Sequence, residues 1–544
     1  MRQRIGTILS GSLSEGFVMR INGTVPLEKI KAGRFVSIVS PNATFFSLIT
    51  DLQLGISNPD IFLYPPEDSE KTLLDAITPR ALLVKASIRP LLMLENGHRM
   101  PVKSIPHHFA PVFEASEEEV CLIFGKEGDQ QKRFFTIGTP LDMNTPVCID
   151  LQGLVERSSG IFGKTGTGKT FLTRLVLAGV IAHRKAVVII FDMHSEYGLQ
   201  ARSEGSDQFV KGLKTLFPDR TALFSLDPSS TARRGGQPDE VLSFPFQSIR
   251  VQDIISLQNE LNLHPTACEA ASLIESRYQE QWLSILLQSK TRLKELADEV
   301  GAHPESIAAL YRKLKQIERY PFFYEGSGTS HDSIIEKMLG YIDRGISIII
   351  EFGNHTSTFC YLLIANIITR RIHRLYIKKT EAFLGSRSPA DEPQKLLIVI
   401  EEAHKFLNPE AAAQTIFGTI AREMRKYYVS LLIVDQRPSG IDPEVLSQIG
   451  TKIVAQLNNE KDISALLSGA SNTTELRTIL ASLDTKKQVL VLGHATPMPI
   501  VLETEQYDDK FYKKIGGQAV SAAIFNSLFP ESKIQTTAGK QKPL

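Results

Sequence analysis

Apolar residues fall into three rhythms along this chain. From residue 1 to about 140 they come in short β-like runs: Phe17–Ile21, Phe35–Val39, Phe45–Asp51, Ala81–Ile88 and Glu119–Phe124. Turn signals such as Asn22-Gly23 and Pro41-Asn42 separate them. Short strands at this spacing predict a small β-barrel over 1–140, suited to assembly or partner docking. From 141 to 505 the runs become continuous, the mark of strands buried on both faces. They are Ser159–Phe162, Ala186–Phe191, Thr221–Leu226, Ile346–Phe352, Leu396–Ile400, Val429–Val434, Thr451–Gln456, Gln488–Leu492 and Pro499–Leu502. Helical patterns alternate with them. Phe171–His183 places Leu172, Leu175, Val176 and Gly179 on one face, and Thr356–Lys378 and Ala411–Tyr428 read as further helices. Alternating strands and helices predict an α/β core with a parallel sheet. The third rhythm is purely helical, from Val251 to Arg319, and predicts an all-helical insertion at about 247–335. Asp227–Asp239 and Thr380–Lys395 read as polar loops, and 506–544 as a polar C-terminal tail.

Within the core, Gly163–Thr170 reads GKTGTGKT and fits the phosphate-binding pattern G-x-x-x-x-G-K-[ST]. Glycines let successive backbone N–H groups of Gly163, Lys164, Thr165, Gly166, Thr167, Gly168 and Lys169 turn inward toward phosphate oxygens. Lys169 reaches the β- and γ-phosphates, the Thr170 hydroxyl helps hold Mg²⁺, and Phe171 opens the helix whose N-terminus faces the anion. The lead-in strand and the following helix are the context that the pattern requires.

Carboxylates stand at the ends of two core strands. Asp192 closes Ala186–Phe191 and is followed by Glu196; both fall where ligands bind in open parallel sheets, and both equally suit capping the next turn. Leu396–His404 reads LLIVIEEAH, a buried strand running into Glu401 and Glu402, like a Walker B strand. Glu401 then belongs to the magnesium shell and Glu402 polarises the attacking water. Gln436, at the tip of the next strand, is placed to sense a γ-phosphate. Arg157, Arg422 and Arg425 are candidates for the arginine that a neighbouring subunit supplies to a phosphoryl-transfer site. His107-His108 reads as an ordinary loop pair, and His194 lacks companion ligands.

Composition narrows the class. A formal net charge of +1 confines any nucleic-acid contact to a local patch or channel. The four cysteines show no C-x-x-C spacing, so neither a zinc site nor a disulfide framework is expected. The N-terminus, MRQRIGTILSGS, is too polar for a signal peptide, and no apolar run approaches the ~18 residues that span a bilayer. The expectation is a cytoplasmic protein.

Taken together, FGKTGTGKT, FDMHSEY, LLIVIEEAH and AREMRKYYVSLLIVDQRPSGIDPEVLSQIGTKI resemble the HerA family of hexameric ATPases, within the FtsK/HerA class of DNA-pumping motors. Glu401 departs from the aspartate commoner at its position. The resemblance implies a RecA-like core behind a small β-barrel, a homohexamer binding ATP and Mg²⁺ between neighbours, and double-stranded DNA in a central pore. It also implies a partner: a NurA-like nuclease, or another effector in antiphage defence. On the family pattern Lys169, Thr170 and Glu402 carry the chemistry, with Asp192, Glu196 and Gln436 in support. Three readings compete with a DNA pump: a conjugative-coupling or protein-translocating ATPase, an ATP-binding ring that regulates a nuclease or NADase without pumping, and a nucleotide switch without a ring.

Overall fold

The structure is a computed structural model, and it describes residues 3–23, 25–31, 33–56, 82–95, 97–129, 131–141, 143–202, 209–326, 333–412, 415–469, 473–483 and 487–516. They form two compact units. The first gathers Met1–Val176, Glu402–His404 and Ser430–Glu505; the second gathers Leu177–Glu401, Lys405–Val429 and the residues from Gln506 onward.

The first unit opens with seven antiparallel strands: β1 (Arg4–Ser12), β2 (Gly16–Ile21), β3 (Phe35–Val39), β4 (Thr44–Ile56), β5 (Leu82–Glu95), β6 (His98–Met100) and β7 (Pro111–Glu114). Their order is β2-β1-β7-β3-β4-β5-β6, and an extra β2–β5 pairing closes six of them into a barrel. Closure leaves those six strands no free edge. Alternate residues point inward, so Phe17, Met19, Val36, Ile38, Phe45, Ile49, Ile88 and Val112 fill the interior. Strand β5 runs well past the predicted Ile88, while Ala81 lies outside the described residues.

One predicted strand is a helix. Glu117–Phe124 folds as α-helix because Ser116 starts it with a reciprocal capping box. The Ser116 hydroxyl accepts from the Glu119 N–H at 3.2 Å, and the Glu119 carboxylate accepts from the Ser116 N–H at 3.0 Å. Glu117, Glu118 and Glu119 add favourable charge at the helix N-terminus, and Val120, Ile123 and Phe124 form its buried face. Ser116→Ala is expected to cost about 1 kcal/mol in urea unfolding, the ordinary loss for an N-cap.

The rest of the first unit is a second sheet. Ser159–Phe162 lies parallel between Val429–Asp435 and Thr451–Val454. Beyond Thr451–Val454 follow Gln488–Gly493, Ile500–Thr504, Phe134–Pro140 and Val147–Asp150, each antiparallel to its neighbour. A strand from before the phosphate loop therefore pairs with the last strand of the core, Pro140 opposite Leu502.

The second unit carries a parallel sheet in the order Glu240–Val241, Thr221–Ser225, Ser347–Glu351, Val187–Asp192, Leu396–Glu401. Asp192 and Glu351 stand opposite each other at its carboxyl end. Short helices from Val251 to Leu314 pack around Ala271, Ile274, Leu286, Ile307, Leu310 and the fully buried Trp282, whose indole N–H donates to the Ile249 carbonyl at 2.8 Å. The long helix spans Thr358–Ser386 and takes up the start of a segment read as loop, ending where Arg387 turns left-handed at φ 51°. The loop read over 227–239 holds the helix Pro228–Arg233, capped by Asp227. The helix read over 411–428 is broken: Pro409–Ala412, Ile416–Glu423 and a 3₁₀ turn over Met424–Tyr427 replace it. Only glycine fits at 418, since a Cβ there would sit 1.8 Å from the Ala412 carbonyl oxygen. Asp509–Lys514 is a helix with Phe511 and Tyr512 buried, in a stretch read as tail; residues beyond 516 lie outside the described chain.

Candidate active site

In the first unit, the phosphate loop leaves a fully buried strand and enters the helix Lys169–Ala182. Gly166 and Gly168 sit at φ +79° and +80°, a region that side chains other than glycine occupy at a cost. Gly163 is required by space: a Cβ would lie 2.8 Å from both the Ala455 Cβ and the Thr167 hydroxyl. The Lys164 N–H donates to the Gln456 carbonyl at 3.0 Å, which fastens the loop to the end of the neighbouring strand. Lys169 folds back across the loop, its ammonium donating to the Lys164 carbonyl at 3.0 Å. Thr165 and Gly166 are exposed, so the tip of the loop faces solvent.

A hydrogen-bonded path leads from this loop to the acid. The Thr165 hydroxyl donates to the Gln436 side-chain oxygen at 2.6 Å. The Gln436 amide donates to both oxygens of Glu402, at 3.3 and 3.2 Å. Glu402 itself adopts φ +50°, a conformation costly for a residue with a side chain. Fully buried Asp435 supports this end. It accepts from the His404 N–H at 2.7 Å, the Arg437 N–H at 2.6 Å and the His404 ring Nδ1 at 3.0 Å. His404 in turn brings Nε2 to 3.8 Å from a Glu402 oxygen. Neither Asp435 nor His404 was singled out from sequence, although both lie inside the quoted motifs; a charged residue ending a fully apolar strand was the available signal. Arg157 caps the helix Leu151–Glu156, and its side chain lies along Gly450.

In the second unit, Asp192 is completely buried and accepts three backbone N–H groups, from Glu196 at 2.8 Å, Tyr197 at 2.8 Å and Gly198 at 3.3 Å. Glu196 thus contributes its backbone to this turn. The Tyr197 hydroxyl donates to Glu401 at 2.7 Å, while Tyr361 meets both backbone groups of Glu401, at 3.2 and 3.3 Å. Glu351, also buried, is held by a bidentate ion pair with Arg234 at 3.1 and 2.7 Å. Arg422 is half-buried in the last turn of its helix, and the Arg425 side chain lies outside the described residues.

Burial, with the nearby Glu351 next, pushes the Asp192 carboxyl up to about 7 against its backbone donors. An unfolded chain ionises this group near ~3.9. Between those values the unfolded state has released the proton and the folded state has not, so the group's contribution to stability falls as pH rises through that window and is level above about 7. The expected result is that wild-type stability relative to Asp192→Asn declines from about pH 4 to about pH 7, measured by urea unfolding at fixed salt.

No helix among the described residues is long and apolar enough to cross a membrane. The family model "Helicase HerA, central domain" matches residues 135–372. The chain is 26% identical over 490 residues to the DNA double-strand break repair helicase HerA of Sulfolobus acidocaldarius, covering 89% of this chain and 90% of the other. It is 23% identical over 465 residues to the protein of the same name from Pyrococcus furiosus, covering 80% of each. Among solved structures, VirB4 of Thermoanaerobacter pseudethanolicus overlaps 69% of this chain and 97% of its own, at 14% identity and a TM-score of 0.45. With the phosphate loop, the acid at the strand end and these relatives matched over most of their length, the chain is a P-loop ATP hydrolase similar to the HerA helicases.

Proposed function

We propose that this protein is a homohexameric motor that hydrolyses ATP to move double-stranded DNA through a central pore, working with a partner nuclease in DNA-end processing. The observation that carries the reading is the path Thr165–Gln436–Glu402, which connects the phosphate-binding tip to the acid assigned to hydrolysis. The likeness to helicases named for double-strand break repair supports DNA as the substrate.

The loop N–H groups and Lys169 bind and orient the triphosphate. Glu402 accepts a proton from the attacking water, and Gln436 reports γ-phosphate occupancy by exchanging its Thr165 contact. A trans arginine, drawn from Arg157, Arg422 and Arg425, stabilises the transferring phosphoryl group. Magnesium neutralises charge on the β- and γ-phosphates when it is bound with ATP. The residues assigned to it suit it by donor type: the Thr170 hydroxyl is a hard oxygen ligand, and in the second unit Asp192 and Glu401 are carboxylates that repel one another. A metal that keeps most of its waters needs no protein cage, in keeping with the absence, among the described residues, of a cluster of three or more potential ligands.

The test is ATP hydrolysis with and without double-stranded DNA, with the particle mass recorded. Stimulation in a six-subunit species, fading as salt rises because DNA is held by its phosphates, is expected. Hydrolysis indifferent to DNA at low salt would remove the pump from the reading.

A further inference from the structure

A cavity of about 290 Å³ lies within the second unit, and none of its lining residues belongs to the site described above. One wall is a single face of the long helix, where Asn366, Arg370 and Arg374 follow at intervals of four residues. Asp253 from the first helix of the insertion, His373 and Thr419 complete the lining that matters here.

The two arginines are in different situations. Arg370 is buried and locked: it donates to both oxygens of Asp253, at 2.9 and 2.6 Å, and to the Ser248 carbonyl at 3.1 Å. Arg374 is exposed, and no carboxylate stands within ion-pair distance of it among the described residues. Partial burial of its side chain and the like charges of Arg370 and Arg250 hold its guanidinium below the ordinary value, against the attraction of Asp253. Asn366 is buried; its amide donates to the Ser256 hydroxyl at 3.0 Å, and its carbonyl oxygen has no hydrogen-bond partner. The cavity thus combines a guanidinium without an ion-pair partner of its own, a rigid arginine behind it and an unused acceptor.

We propose that this cavity binds a small organic phosphate, with the phosphate on Arg374 and a hydroxyl-bearing body against Asn366 and Thr419. Three arginines within reach of one another, only two of them paired with acids, suit a dianion better than a single carboxylate. The volume is that of a small-metabolite pocket. Such a ligand ties the first helix of the insertion, Val251–Ile255, to the long helix Thr358–Ser386, giving the insertion a chemical input independent of the phosphate loop.

The test uses the full chain carrying Lys169→Ala, so that the phosphate loop does not compete, and titrates ribose 5-phosphate, inorganic phosphate and ribose by calorimetry. Saturable binding of ribose 5-phosphate, weaker binding of inorganic phosphate and none of ribose are expected. Adding Arg374→Ala should weaken ribose 5-phosphate by about tenfold or more, the loss of one charge-assisted contact. In the Lys169→Ala parent, ribose 5-phosphate should also shield Arg374 from phenylglyoxal, read by peptide mass. Absence of saturable binding by either phosphate, binding that Arg374→Ala leaves unchanged, or unshielded Arg374 would overturn the proposal. Nucleotide binding at the phosphate loop is read separately, by comparing wild type with Lys169→Ala, so either assignment can fail alone.

Discussion

Glu402→Gln is expected to lower ATP turnover by about 10²–10⁴-fold while nucleotide still binds. The argument rests on shape and charge. Glutamine has the outline of glutamate and can hold the same left-handed backbone at φ +50°, so the loop and its partners remain in place. What disappears is the acceptor that we propose takes the proton of the attacking water. The amide of Gln436 now meets one carbonyl oxygen and one NH₂ group where it had two acceptors at 3.3 and 3.2 Å, which is a minor loss beside the missing base. Phosphate release under saturating ATP, together with binding of a non-hydrolysable analogue, checks both halves. Turnover at the wild-type rate would move the assignment to another acid, and lost binding would show that Glu402 acts on the ground state.

Arg370→Ala is expected to destabilise the second unit by about 3–5 kcal/mol, the ordinary effect of removing one partner from a buried pair. Asp253 is 3% exposed, and without the guanidinium its charge has neither solvent nor a counter-ion of equal geometry. The bonds from Arg370 to Asp253 and to the Ser248 carbonyl also fasten the start of the helical insertion to the long helix, so the loss extends beyond one side chain. Urea unfolding followed by Trp282 fluorescence reads the right place, because that indole is the only tryptophan and is buried inside the insertion. The double change Arg370→Met with Asp253→Leu should recover most of the loss, since an apolar pair of similar volume removes the stranded charge. A single change that costs less than about 1 kcal/mol would mean that water reaches Asp253.

Arg370 also shows where reading a sequence stops. In one dimension it joins Arg371, Arg374, Lys378 and Lys379 in a basic run that looks like a solvated helix end. In three dimensions its neighbour is Asp253, 117 positions earlier, and no local pattern announces that pairing. The segment Glu119–Phe124 failed for a different reason. Its short apolar run fits either period, and the deciding feature was the Ser116–Glu119 capping box just ahead of it. The interruption of the helix read over 411–428 likewise depends on close backbone approach at Gly418, which an amphipathic pattern does not encode.

The sequence alone determined those features whose physics is local. A phosphate loop is a run of consecutive backbone donors, so GKTGTGKT specifies it without help from the rest of the chain. Buried strands ending in acids declare themselves because five apolar residues followed by Glu401 and Glu402 have few other uses. Barrel strands and insertion helices follow from periodicity, which each segment carries within itself. Only the tertiary structure decided how these pieces serve one another. It closed the barrel through a β2–β5 pairing, paired Pro140 with Leu502, and joined Thr165 to Glu402 through Gln436. It also raised the Asp192 carboxyl to about 7, chiefly by burying it and secondly by standing Glu351 beside it. Each of these depends on distances between residues far apart in the chain, and side-chain charge, burial and hydrogen bonding take their values from those distances.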